Sequence, residues 1–101
     1  MTDTLTILTA ARNIIADPAM WYQGDYTASG DWNTDEPCCA ECAIKRAACA
    51  VGVNPFYVIL DIGAFTPRKV GIHRFNDRPT TTHADVMAVF DRAIAALEVN
   101  S

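Results

Sequence analysis

The chain has 101 residues, half of them hydrophobic and a fifth charged, with a net charge of −4. That length is one domain, able to bury about two-thirds of its unfolded surface in a single core without staples. It holds no apolar run near the ~20 residues a membrane span needs, its acidic balance argues against general nucleic-acid binding, and its start, Met1-Thr2-Asp3-Thr4, lacks the basic region of a signal peptide.

In chain order, residues 4–17 predict a first helix. Ile7, Leu8, Ala11, Ile14 and Ile15 form its apolar stripe, Asp3 or Thr4 can cap it, and Asp17-Pro18 ends it. Residues 20–35 predict a loop or short hairpin turning at Ser29-Gly30. Its aromatics, Trp21, Tyr22, Tyr26 and Trp32, suit a roof over the core with one polar edge wet; the alternative is a stacking platform for a ligand. Residues 37–51 predict a second helix, with Asp35 as cap, Pro37 in the first turn and Gly52 as the left-handed stop. On that helix Ala40, Ala43, Ile44, Ala47 and Val51 share one face, while Cys38, Cys42 and Cys49 fall on the opposite one.

Residues 56–65 form a short apolar run that periodicity cannot assign. Its β-branched and aromatic content suits a strand, which would pair with 70–75 and give an α+β fold with a small hairpin from 56–62 and 70–75. Pro55, in contrast, is well placed in the first turn of a helix. Asn76-Asp77 predicts a turn, since short polar side chains bond their own backbone. Thr82 is a good N-cap and Asp85, three residues on, completes a capping box. Val86, Val89, Phe90, Ala93, Ile94 and Leu97 then recur at helical spacing, predicting a last helix over 83–98.

The cysteines invite a metal reading. Tetrahedral zinc holds its sulfurs about 4 Å apart. Cys38 and Cys42 are one helical turn apart and meet that need; Cys49, about 10 Å further along an intact helix, does not. His73, His83 or a carboxylate would have to complete the site, and no second C-x-x-C or H-x3-H pair supplies one at a familiar ligand spacing. A disulfide is disfavoured by the strain of the adjacent Cys38-Cys39 pair, and for the other local pairings by helix geometry and by the cytoplasmic setting that the missing signal region leads one to expect. Space-filling as small buried hydrophobes suits two or three of the four thiols, and one left exposed beside Lys45 and Arg46 would favour its thiolate. No triad, phosphate loop, zinc-protease or kinase motif is present, so no catalytic residue and no cofactor is expected.

Trp21-Tyr22-Gln23-Gly24-Asp25-Tyr26, Cys42-Ala43-Ile44, Phe75-Asn76-Asp77 and Thr82-His83-Ala84-Asp85-Val86 occur in one order along the chain. In that order they resemble an uncharacterised family of small proteins from actinobacteria and their phages, described as a domain of unknown function. One departure is that Lys45-Arg46 stands where that family usually carries Gly-Ala. The resemblance implies a compact helical domain, a helix over 56–65, and no known activity. With Pro55 it decides for a buried helix there. The expected fold is therefore mostly α, a single domain over 1–101 with about four helices around one core.

Charge is unevenly placed. Asp17, Asp25, Asp31, Asp35 and Glu36 crowd 17–36, and Arg68, Lys69, Arg74 and Arg78 crowd 68–78. The expected function is a cytoplasmic, non-enzymatic interaction protein, phage- or prophage-related, that binds another protein, with a host protein among the candidates and self-association as an option. Its expected surface is Arg68, Lys69, Arg74, Asn76, Asp77 and Arg78. The alternatives are a zinc regulatory module using Cys38 and Cys42 with His73, and a nucleic-acid binder through 68–78.

Overall fold

Apolar periodicity becomes five α-helices in the structure, a computed structural model that describes residues 2–24, 27–32 and 34–100. They are α1 Thr2–Ile14, α2 Ala40–Ala50, α3 Pro55–Gly63, α4 Ile72–Asp77 and α5 His83–Asn100, with single 3-10 turns at Pro18–Met20 and Pro67–Lys69. Among the described residues the only β pairing is one parallel bridge between Trp21 and Cys38. The domain is mostly α. The run at 56–65 is a helix, and the hairpin alternative with 70–75 does not form.

α1 packs chiefly on α2 and α5, while α3 touches all four of the other helices. Ile7, Leu8, Ala11 and Ile15 meet Ala40, Ala43, Ile44 and Ala47 of α2, and Val86, Val89, Phe90 and Ala93 of α5, in one core completed by Val58, Ile62, Ile72 and Phe75. Alanines on α2 let its neighbours approach closely, because a methyl group leaves the backbone near the interface. Trp21 and Trp32 pack against this core as partly buried roof residues. Tyr26 and Asp25 lie outside the described residues.

Two helix ends follow local chemistry closely. Thr82 Oγ1 accepts from the Asp85 N–H at 3.1 Å and Asp85 Oδ2 accepts from the Thr82 N–H at 2.9 Å, the reciprocal bonds of a capping box. α2 ends at Gly52, φ 73°, with Gly52 N donating to Cys49 O and Val53 N to Ala48 O, a Schellman motif.

Three expectations need correction, and one alternative is decided. α1 ends at Ile14 rather than 17, because Asp17 caps the 3-10 turn, accepting from Ala19 N at 2.9 Å. α2 starts at Ala40, and its cap is Cys39 rather than Asp35. Residues before it are drawn off by the bridge, in which Cys38 N donates to Met20 O and Tyr22 N to Cys38 O, both at 3.0 Å. The 20–35 segment is a folded loop with no hairpin among its described residues; it turns at Gly30, φ 84°, whose N–H bonds Thr27 O. Asn76-Asp77 is the last turn of α4, a fifth helix, because tertiary hydrogen bonds hold it.

Candidate functional site

The sequence motifs of the resemblance converge on one buried amide. Asn76 is fully buried. Its Oδ1 accepts from Trp21 Nε1 at 2.6 Å and from Ala40 N at 3.0 Å. Its Nδ2 donates to Tyr22 O at 3.0 Å and to Asp77 Oδ1 at 2.9 Å. Gly24 N donates to the same Asp77 oxygen at 2.9 Å. The Gln23 amide donates to the carbonyls of Asn76, Arg78 and Thr81 at 2.8–3.1 Å. His83 lies edge-on to Trp21 with ring centroids 5.8 Å apart, and its Nε2–H donates to Ile15 O at 2.7 Å. This network clasps the loop after α1 to the α4–α5 connection.

The cysteines separate differently from the helical wheel. Cys38, Cys39 and Cys42 are all buried, and Cys49 alone is exposed. Cys38 precedes the helix, and Cys42 is covered by the loop whose Trp32 carbonyl accepts from its thiol at 3.4 Å. Interaction with Cys38, together with burial, pushes the Cys42 thiol up. Interaction with Cys42 holds Cys38 below the ordinary thiol range against the effect of burial, helped by the Arg46 charge. His73 is engaged elsewhere, its Nε2 3.3 Å from Asp77 Oδ2. Among the described residues no group of three or more His, Cys, Asp or Glu side chains is arranged to hold a metal.

The expected interaction surface divides. Arg68, Lys69, Arg74 and Arg78 are exposed, and among the described residues no ion pair engages them. Asn76 does not belong to that surface, being the centre of the clasp, and Asp77 is half-buried within it. Arg68 and Lys69 both hold left-handed backbone, φ 55° and 54°. For non-glycine residues that costs about 1–2 kcal/mol each. The turn is fixed by Lys69 N on Thr66 O at 2.9 Å, Thr66 Oγ1 on Gly63 O at 2.6 Å, and Gly71 N on Thr66 Oγ1 at 3.1 Å.

That turn forms one wall of a groove. Its lining is Ile59, Leu60, Gly63 and Ala64 of α3, facing Lys69, Val70 and Gly71, with a volume of about 440 Å³. Gly63 and Gly71 set its floor: a Cβ on Gly63 would lie 3.5 Å from the Gly71 Cα. The groove opens onto the outer face of α3, where Phe56 (57 % exposed), Tyr57 (66 %) and Leu60 (56 %) stand in solvent. Phe56 and Tyr57 meet edge-to-face at 6.1 Å. Helical spacing places Phe56, Leu60 and Ala64 in one row, opposite the buried Val58 and Ile62. α3 is therefore only half-buried, a correction to the buried helix expected at 56–65. The sequence held the signal: a nine-residue helix whose one charged residue is Asp61 cannot bury all of its apolar surface at the edge of so small a domain.

Five helices around a single core define a small all-α domain. The chain belongs to the Family of unknown function (DUF6197), whose family model matches residues 1–96. No curated protein matches the chain, and no solved structure does.

Proposed function

We propose that this protein is a non-enzymatic binding module, acting in the cytoplasm, whose partner is an acidic amphipathic segment of another protein. One observation carries this reading: the exposed apolar row of α3 runs into a groove edged by a lysine. Isolated surface apolar residues are ordinary, but a contiguous set of Phe, Tyr and Leu beside a concave floor marks an interaction site. Short amphipathic helices bind such grooves through apolar residues three and four apart. The charge rim selects the sign of the partner. Lys69 lines the groove, Arg68 adjoins it in the strained turn, and Asp61, the one acid on α3, is not part of the lining.

This moves the centre of the expected surface from 68–78 to α3, keeping Arg68 and Lys69 as its rim. The test uses two synthetic amphipathic peptides with the same apolar face, one glutamate-rich and one lysine-rich. Titrated into isotopically labelled protein, the glutamate peptide is expected to shift the amide signals of Leu60, Gly63, Lys69 and Gly71. Lys69→Glu is expected to weaken it about tenfold, as loss of one well-placed charge pair does. Equal binding of both peptides, or shifts confined to other helices, overturns the reading. Retention of DNA at low salt that Arg74→Glu and Arg78→Glu abolish would instead assign 68–78 to nucleic acid.

A further inference from the structure

The groove beside α3 has two unlike ends. Residues 47–60, which lead into α3 and form its first half, carry no charge, and Val51, Phe56 and Tyr57 stand exposed there. At the other end Lys69 lines the groove with Gly63 and Ala64, and Arg68 adjoins it. Asp61 falls in the next row of α3, with Tyr57, outside the lining. The two cations stand on a fixed turn. Arg68 and Lys69 are the only non-glycine residues with left-handed φ among the described ones. Such a pair persists only where its surroundings hold it. Thr66, 4 % exposed, does the holding. Its hydroxyl donates to Gly63 O at 2.6 Å, at the end of α3, and accepts from Gly71 N at 3.1 Å, at the start of α4, so it ties the two walls across the floor. Its carbonyl accepts from Lys69 N at 2.9 Å. From α5, Arg92 Nη2 donates to the neighbouring Phe65 carbonyl at 3.0 Å.

Resting on the groove as the binding site, we propose that it takes its partner in one direction: as a helix antiparallel to α3, its acidic first turn on the Arg68–Lys69 turn and its apolar row running back to Phe56. The row from Phe56 to Ala64 is about 12 Å long, the rise of a little over two helical turns. That length offers anchors to a partner helix whose apolar residues recur three and four apart. The partner's acids belong at the end beside Lys69, because the other end carries no charge to meet them. In a helix, acids stabilise the first turn and destabilise the last, since the N-terminal end of the dipole is positive. A segment that gathers its acids at one end and stays helical therefore carries them at its N-terminus. With that end beside the C-terminal half of α3, the two helices run antiparallel and their dipoles attract. Thr66 is a positioning residue. Buried under the turn, it acts by aiming Arg68 and Lys69.

The test compares two peptides of identical composition and apolar face, one with paired glutamates in its first turn and the other with them in its last. Titrated into the isotopically labelled full chain, the first is expected to bind about tenfold tighter. A spin label on its C-terminus should broaden the amide signals of Val51, Phe56 and Tyr57 and spare Lys69 and Gly71. Thr66→Val keeps both cations but unties the walls, and should bring the two affinities to within about twofold. Thr66→Ser, which keeps the hydroxyl, should restore the preference. Thermal melts check that both variants fold, and the peptide pair on the unaltered chain decides the direction without them. Equal affinities there, or broadening at Lys69 and Gly71, overturns the proposal and leaves the groove as a binding site. Binding of neither peptide overturns both. An unchanged preference in Thr66→Val overturns the part assigned to Thr66.

Discussion

Asn76 shows how much one side chain can hold in this domain. It satisfies the Trp21 indole and the Ala40 N–H with one oxygen, and two acceptors with its amide nitrogen. Replacing it by alanine strands two buried donors at once, each at about 1–3 kcal/mol. Asn76→Ala should therefore lower the unfolding free energy by roughly 3–5 kcal/mol in urea titration, against about 0.5 kcal/mol for the exposed Arg74→Ala. A loss near that of Arg74→Ala would mean that the clasp is not what joins the loop to α4. Trp21→Phe is the finer probe. It keeps an aromatic ring beside His83 while removing the N–H and part of the indole, so about 1 kcal/mol is expected for the hydrogen bond and about 1 kcal/mol more for the lost packing.

At the level of elements, the helix ends carry the fold's most local information. Thr82→Ala should cost about 1 kcal/mol, the usual worth of an N-cap, with the far-ultraviolet spectrum otherwise unchanged. Gly52→Ala meets no atom within 4 Å, so its cost of about 1 kcal/mol comes from the left-handed backbone alone, and Gly52→Asn should recover part of it. These two termini were legible in the sequence because cap and helix are neighbours in the chain. The same holds for the apolar stripes of α1 and α5 and for Pro55 opening α3. What escaped has the opposite character. The Asn76 clasp joins residues 36 to 55 apart, and Gln23 reaches up to 58 residues away. Without those bonds Asn-Asp reads as a turn, so α4 was invisible. The start of α2 was misplaced because a thiol is a poor cap by preference, and only the Trp21–Cys38 bridge explains why the chain waits until Ala40. Of the candidate surface, the exposed cations of 68–78 were legible from charge clustering. The groove was not, since it depends on Gly63 of one helix lying against Gly71 of the following turn.

On the scale of the whole molecule, α3 is the element that both completes the core and leaves it. Val58 and Ile62 are buried, and the helix touches every other helix, so its inner face closes the domain. Its outer face adds nothing to that closure, although it is as apolar. The two faces should therefore answer oppositely to substitution. Ile62→Ala removes buried methyl groups and should cost about 2–5 kcal/mol. Leu60→Lys changes a side chain already in water and should alter stability by no more than about 0.5 kcal/mol. In return it should reduce binding of a hydrophobic dye and retention on a hydrophobic column, since it breaks the row from Phe56 to Ala64. Parallel thermal melts and dye titrations on the two variants decide the matter. If Leu60→Lys destabilises as strongly as Ile62→Ala, the outer face of α3 is covered in the folded protein, and the groove is not available to a partner.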